Sequence, residues 1–238
     1  MKTIYAVTGA SGHLGNVLVR QLVHDHYAVR VLLLPNDPAP LLNGLAIDRY
    51  VGDVSKLETL HSFFKHEEDE ALIVIHVAGM ITIYSKMFPM LQKVNMDGTR
   101  NMLELAKAYR VKRFVYVSSV HAIKEVYDRP ITETHLFNAR DVKGPYAKTK
   151  ACATQMVLDS SLDVVVVHPS GIIGPYDSGT SNMNKLIHDY IDKKVTMSVA
   201  GGYDFVDVRD VASGIIAAAN KGRNHQCYIL SNRYFTMK

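Results

Sequence analysis

Only two cysteines, Cys152 and Cys227, occur in the 238 residues, and so few, so far apart, exclude a disulfide scaffold. Free thiols in a reducing cytoplasm are the expectation. Long apolar runs are scarce as well. The longest, Ala71 to Ile83, is interrupted by His76 and falls short of a membrane span. Neither charge sign dominates: 27 Lys and Arg face 23 Asp and Glu, for a net charge of +4. The basic residues are scattered among acids, which excludes a nucleic-acid surface, while a modest positive balance suits an anionic cofactor. Internal repeats, low-complexity segments and metal-ligand clusters are missing. Thr3 to Val7 already reads as a strand, so no secretory signal is expected.

What is present is an alternation of apolar runs and amphipathic stretches. Strands are expected at Ile4–Val7, Val29–Leu34, Ile47–Val51, Leu72–Val77, Phe114–Val117 and Val164–Val167. Helices are expected at Leu14–Asp25, Met87–Tyr109 and Pro145–Leu158. Ser55 is placed to cap a further helix running to Phe64, with Glu58 completing a capping box. This rhythm predicts an α/β fold, a doubly wound parallel sheet with helices on both faces. After Pro169 the rhythm loosens into a loop-rich stretch, with helical signals at Met183–Lys193 and Val208–Asn220 and a short strand at Cys227–Leu230. We therefore expect a dinucleotide-binding part over 1–168. Residues 169–238 are expected to be mainly a small substrate lobe packed on it, with some chain returning to the core. The abrupt end after Phe235-Thr-Met raises the expectation of a truncated version of a longer protein.

Directly after the first apolar run comes Thr8-Gly-Ala-Ser-Gly-His-Leu-Gly15. Glycines between a strand and a helix let the backbone turn sharply and approach a pyrophosphate. The free N–H groups at the helix start, around His13 and Leu14, meet its charge. The spacing is Gly-x-x-Gly-x-x-Gly rather than the commoner Gly-x-Gly-x-x-Gly. Asp53, after the third strand, suits either an adenine amine or a helix cap. His76-Val-Ala-Gly79 ends the fourth strand at the carboxyl edge, where open sheets of this kind bind ligands; His76 itself reads as a strand-end residue rather than an acid or base. At the end of the second strand stands Leu34-Pro35-Asn36-Asp37, which selects neither NAD nor NADP.

Tyr146 and Lys150 lie four apart on an expected helix and so share a face. An ammonium beside a phenol stabilises the phenolate and lowers its pKa toward the working range. Ser118-Ser119, ending the fifth strand, can supply a hydroxyl to hold a carbonyl oxygen. The pair alone is common and means little. Behind a glycine turn and a serine-ended strand, it points to a nicotinamide-dependent oxidoreductase.

These residues resemble the extended branch of the short-chain dehydrogenase/reductase family, of the NAD-dependent epimerase/dehydratase type. The resemblance rests on Thr8–Gly15, Gly52-Asp53, His76–Gly79, Val94-Asn-Met-Asp-Gly-Thr99, Tyr116-Val-Ser-Ser119, Tyr146–Lys150, His168–Pro175 and Phe205-Val-Asp-Val-Arg-Asp210. Ile131-Thr-Glu-Thr-His135 and the Pro169–Pro175 loop are similar to dihydroflavonol-reductase and cinnamoyl-CoA-reductase-like members. The resemblance implies Tyr146 as proton donor, Lys150 as its tuner and ribose ligand, and Ser119 as carbonyl orienter, with Ser118 and Asn95 structural. It implies a dinucleotide held by Gly9, Ser11, Gly12, His13, Leu14, Gly15, Asn36, Asp53, Val54, Val77, Ala78, Gly79, Lys150, Pro169, Gly171 and Ile172. NADP(H) is slightly favoured over NAD(H) by the subgroup, although Leu34 stands where that subgroup carries an arginine.

The expected reaction is reduction of a small ketone or aldehyde. Met80–Met90 and Ser178–Asn184 are the expected substrate walls, and a homodimer through the long helices would be typical. Two alternatives stay open. One is a nucleotide-sugar epimerase or dehydratase with tightly held NAD, the dehydratase disfavoured because Val120-His121 follows Ser119 where an acid is usual. The other is a non-catalytic dinucleotide-sensing regulator, disfavoured by the presence of both Tyr146 and Lys150.

Overall fold

The computed structural model describes residues 1–126, 129–177, 182–194 and 201–236. Among the described residues, β1 (Lys2–Thr8), β2 (Ala28–Leu33), β3 (Asp48–Val51), β4 (Glu70–His76), β5 (Arg113–Val117), β6 (Val164–Pro169) and β9 (Gln226–Leu230) form a seven-stranded sheet. Their order is β3-β2-β1-β4-β5-β6-β9, and every pairing is parallel. The strand order reverses between β1 and β4, which opens a crevice at their carboxyl ends. Register brings Thr8 beside His76 and His76 beside Tyr116, so the glycine turn, Val77–Gly79 and Ser118-Ser119 leave the sheet along one edge.

Alternation along the strands divides the core in two. Ile4, Ala6, Phe114 and Tyr116 face one side, with Phe63, Phe64, Met102, Leu105 and Ala151 from the helices there. Tyr5, Val7, Val115 and Val117 face the other, with Leu18 and Leu22 of α1 (His13–His24) and Val211 and Ile215 of α7 (Val208–Lys221). Strands buried on both faces favour apolar residues at every position, and β6 meets that demand over Val164-Val-Val-Val167 before the buried His168.

Several expectations are corrected. The helix after β3 is a 3₁₀ turn over Leu57–Thr59 followed by a four-residue α2 (His61–Phe64), and Ser55 caps neither. Asp53 Oδ1 accepts the Ser55 N–H at 2.9 Å, which folds the chain into a turn before a helix can start. The helix expected over Met87–Tyr109 is α3 (Pro89–Gln92), a π-helical segment at Lys93–Asp97, and α4 (Gly98–Ala108). The loop-rich C-terminal part contains three unforeseen strands, β7 (Gly171–Ile173), β8 (Gly202–Asp207) and β10 (Arg233–Thr236), in a small sheet of order β10-β8-β7. Its helix α6 spans Asn182–Ile191. β9 joins the large sheet beside β6. Residues 178–181 of the expected substrate wall lie outside the described residues. By contrast, α5 runs from Pro145 to Leu158, the bounds expected from Pro145 as its first residue.

Candidate active site

The glycine turn shows which of its glycines the fold itself needs. Gly9 has φ +68, and a Cβ there would meet Ala78 N at 2.7 Å. At Gly15 a Cβ would lie 2.0 Å from Gly9 O. Both are demanded by the protein's own backbone. Gly12 is different: its φ is −74, and among the described residues a Cβ would find only Gly9 O, at 3.4 Å. The fold tolerates a side chain at Gly12, so its glycine leaves open surface for a group approaching from outside. Gly12 also caps α1 without a side-chain hydrogen bond, so the first N–H groups of the helix stay available. These features fit a dinucleotide pyrophosphate.

A continuous hydrogen-bonded chain runs from this turn to the candidate catalytic helix. The Ala78 N–H donates to Thr8 Oγ1 at 3.1 Å, and Thr8 Oγ1 meets His76 Nδ1 at 2.8 Å. His76 Nε2 meets Thr99 Oγ1 at 3.2 Å, and that hydroxyl donates to Asn95 O at 2.8 Å. Since the Thr99 proton is spent on Asn95, His76 must donate from Nε2 and accept at Nδ1, which defines a neutral imidazole. Burial and the nearby Lys150 ammonium push His76 down to about 3. It is therefore a polar pin at the strand end. Asn95, in the π segment, accepts the Met80 N–H at 2.7 Å. Its Nδ2 donates to Met80 O at 3.0 Å and to Thr149 Oγ1 at 3.1 Å. Thr149 Oγ1 donates to the Tyr146 carbonyl at 2.8 Å.

The two serines are distinguished by their partners. Ser118 Oγ is 2.7 Å from Thr154 Oγ1, which itself donates to Lys150 O at 2.7 Å, so Ser118 ties β5 to α5. Ser119 is 7% exposed. Its Oγ accepts the His121 N–H at 3.2 Å, and its hydroxyl is near enough to Tyr146 to lower the phenol's pKa. Its carbonyl is held by His168 Nδ1 at 3.0 Å. Burial lowers His168 to about 4, so that histidine is neutral and positions the backbone.

Lys150 is 4% exposed. Its Nζ donates to Val117 O at 2.7 Å and sits 4.4 Å from the centre of the Tyr116 ring. A Cβ on Gly79 would lie 3.8 Å from it, which places the ammonium under the Val77–Gly79 edge. Loss of hydration pulls Lys150 down to about 7. Tyr146 departs from the expected direction. Burial raises it to about 12, the Ser119 hydroxyl lowers it, and the nearby Tyr203 phenol raises it further. Lys150, pulled down to about 7, has lost its charge before a phenol raised to about 12 ionises, so it offers no ammonium to the phenolate.

The other expected positions divide. Val77 and Ala78 are half-buried and Gly79 exposed at the edge of β4, while Pro169 and Gly171 are buried and Ile172 is half-buried after β6. His13 Nε2 is 3.0 Å from Pro175 O, and Asn16 Nδ2 donates to Tyr176 O at 3.1 Å, so the segment after β7 lies against the start of α1. Ser11 is half-buried in the glycine turn. Asn36 is exposed with φ +65, just beyond β2, and Asp37 Oδ1 accepts the Ala39 N–H at 2.9 Å. Asp53 forms the turn described above and caps no helix; Val54 is buried against Gly98. Sequence reasoning missed Thr99 and Thr149 as links of the chain. It also missed His121 and Tyr203, whose approach to Tyr146 left no signal in local spacing.

A parallel sheet with a crevice at its order reversal, a glycine turn beneath it and a buried lysine beside a tyrosine define a dinucleotide-binding protein of the Rossmann type. The chain belongs to the NAD dependent epimerase/dehydratase family, whose model matches residues 5–230, within the extended short-chain dehydrogenases/reductases. It is 30% identical over 234 residues to the sterol demethylase protein B of Methylococcus capsulatus, covering 97% of this chain and 70% of that protein. A Synechocystis protein with a provisional dihydroflavonol 4-reductase name is 32% identical, with 94% and 65% covered. The ceramide reductase of Caulobacter vibrioides is 31% identical over 183 residues, 50% of its length. The chain thus spans about half to two thirds of most such relatives. The crystal structure of gox2253 superposes with a TM-score of 0.84 at 27% identity, covering 98% of this chain and 71% of that one. The NAD complex of Thermus thermophilus UDP-glucose 4-epimerase, at TM-score 0.82 and 22% identity, covers 98% and 79% and shares the fold.

Two outcomes test this site. Gly15→Ala should destabilise the protein by about 3 kcal/mol or more because backbone must move. Gly12→Ala should cost about 1 kcal/mol in denaturant unfolding yet weaken dinucleotide binding in calorimetry. Equal stability losses would contradict the distinction. The second concerns Lys150. Between about pH 7 and its unfolded value near 10.4, the unfolded chain binds a proton that the folded protein does not, so this group makes stability rise with pH. The stability difference between Lys150→Met and wild type should favour the variant most at pH 7 and shrink toward pH 10. A pH-independent difference would remove the desolvated ammonium from the account.

Proposed function

We propose that the protein is an NAD(P)-dependent oxidoreductase that reduces a ketone or aldehyde, with Tyr146 as proton donor. The observation that carries this reading is the division of labour between the serines: Ser118 is spent on Thr154, while the Ser119 hydroxyl reaches Tyr146. A carbonyl oxygen received between those two groups would be oriented by Ser119 and protonated by Tyr146. The raised phenol supports that direction, because Tyr146 keeps its proton at neutral pH. Lys150, near Gly79, would hold ribose hydroxyls, which would relieve the cost of its burial.

When bound, the nicotinamide supplies or accepts the hydride. The pyrophosphate would be held at Gly9, Ser11, Gly12, His13, Leu14 and Gly15. Asn36 would meet the ribose, Asp53 and Val54 the adenine, and Val77–Gly79 with Pro169, Gly171 and Ile172 would flank the nicotinamide. We assign dinucleotide binding to residues 1–168 and mainly substrate-side elements to 169–238. Between NAD(H) and NADP(H), Asp37 is engaged by the Ala39 N–H, which leaves the slight preference for NADP(H) in place. Ile81 and Ile83, 72% and 80% exposed, follow directly on Gly79 and support an apolar portion in the substrate. Relatives named for sterol, ceramide and farnesyl compounds agree with that character.

Thermal-shift measurements with NAD, NADH, NADP and NADPH should identify one stabilising pair, and that pair should turn over with a panel of carbonyl compounds. Tyr146→Phe should lower kcat by about 100-fold or more while leaving the dinucleotide shift intact; persistent turnover in that variant would overturn the assignment. Because Tyr146 is raised, reduction should hold steady through neutral pH, and the reverse oxidation should accelerate as pH rises. An oxidation rate that falls from pH 7 to pH 10 would contradict the phenolate as base.

A further inference from the structure

Two side chains at the mouth of the site have no part in the chemistry described so far. Tyr203, on β8, brings its hydroxyl to 2.7 Å from His121 Nε2, joining the small sheet to the turn after β5. The His121 ring packs edge-on against Tyr146, with centres 6.2 Å apart at 74°, and the His121 backbone N–H is the group bonded to Ser119 Oγ. The pair is therefore tied at one end to the carbonyl-orienting hydroxyl and flanks the proposed proton donor. Space has been cleared for it: a Cβ on Gly171 would lie 2.5 Å from the Tyr203 ring, so Gly171 is the residue that lets the phenol lie there. Phe205 supports the same ring at 5.6 Å.

The hydrogen-bond inventory of the pair does not close. A neutral imidazole and a phenol carry two acidic protons, and one is used between them. If Tyr203 donates to Nε2, the proton on His121 Nδ1 is left over. If Nε2 donates to Tyr203, the phenol proton is left over. Among the described residues, no hydrogen bond is formed by His121 Nδ1 or by the Tyr203 hydroxyl beyond the one they share. His121 is exposed and Tyr203 half-buried, so beside Tyr146 stands a fixed pair with one donor and one acceptor still to offer. Glu125, on the same turn, acts electrostatically on both rings.

We propose that His121 and Tyr203 form a specificity pair that hydrogen-bonds a second oxygen of the substrate, a hydroxyl or carbonyl near the carbonyl reduced at Tyr146. The preferred substrates are then hydroxy ketones and dicarbonyl compounds rather than plain ketones. This assignment rests on the reductase reading above. A site built to hydrogen-bond a substrate oxygen rejects analogues lacking it, because its polar groups are left unpaired.

The test compares kcat/KM for cyclohexanone with that for its alpha-hydroxy and beta-keto derivatives, using the full chain and the dinucleotide that stabilises it. Wild type should favour the oxygenated compounds at least tenfold. Tyr203→Phe, which keeps the ring against Gly171 and Phe205, and His121→Phe should bring that ratio close to one, chiefly through KM of the oxygenated members. His121→Gln, which keeps a donor and an acceptor, should restore part of it. If the variants lose activity equally on all compounds and the ratio stays at its wild-type value, the pair is only a structural tie and the proposal fails. A wild-type ratio near one overturns it directly. Wild type that turns over no carbonyl compound with any of the four nucleotides overturns the reductase reading and the specificity pair with it.

Discussion

The buried chain of hydrogen bonds through Thr8, His76, Thr99, Asn95 and Thr149 is the constraint on which the site's geometry depends. Each of these side chains is nearly or fully buried, and a buried polar group without a partner is costly. The network therefore has a single satisfactory arrangement. It locks the end of β1 to the end of β4, the end of β4 to the π segment, and the π segment to α5. The glycine turn and the Tyr146–Lys150 helix belong to opposite faces of the sheet, and this chain holds them in register across its edge. Burial keeps His76 neutral, which leaves Nδ1 as an acceptor for the buried Thr8 hydroxyl.

The π segment follows from the same requirement. An uninterrupted α-helix over 89–108 would turn Asn95 differently, whereas one widened turn presents its amide to Met80 and Thr149 together. Lys150 adds a second tension. Its ammonium is paired with the Val117 carbonyl and the Tyr116 ring, which compensates part of the hydration it lost. Tyr146, half-buried nearby, retains its proton. The ligand-free site is thus arranged with a phenol ready to donate and an ammonium held in reserve under the sheet edge.

Much of this was legible in the chain. The helix Pro145–Leu158 could be read because proline favours a first helical turn and Asp159 follows the last apolar position. The strands of the large sheet could be read because burial on both faces demands unbroken β-branched runs, as in Val164–Val167. The glycine turn and the strand-end reading of His76 also came from local pattern, while the separate roles of Ser118 and Ser119 came from the family resemblance. The reading failed where neighbouring groups compete for one hydrogen bond. Ser55 looked like a helix cap, but Asp53 takes its N–H first. The short strands at Gly171–Ile173 and Arg233–Thr236 carry too few residues to display a period.

The alternation of strands and helices that makes a parallel α/β fold, and the glycine turn after the first strand, were determined by sequence alone, because apolar period and turn chemistry act over a few residues. The order of the strands and the crevice between β1 and β4 came from their pairing in the folded sheet. Tertiary structure alone decided that β9 returns beside β6, that a small sheet carries Tyr203 to His121, and that burial raises the Tyr146 phenol. Those outcomes depend on groups 61 to 82 residues apart in the chain or on loss of water around a folded site, and neither leaves a mark on local spacing.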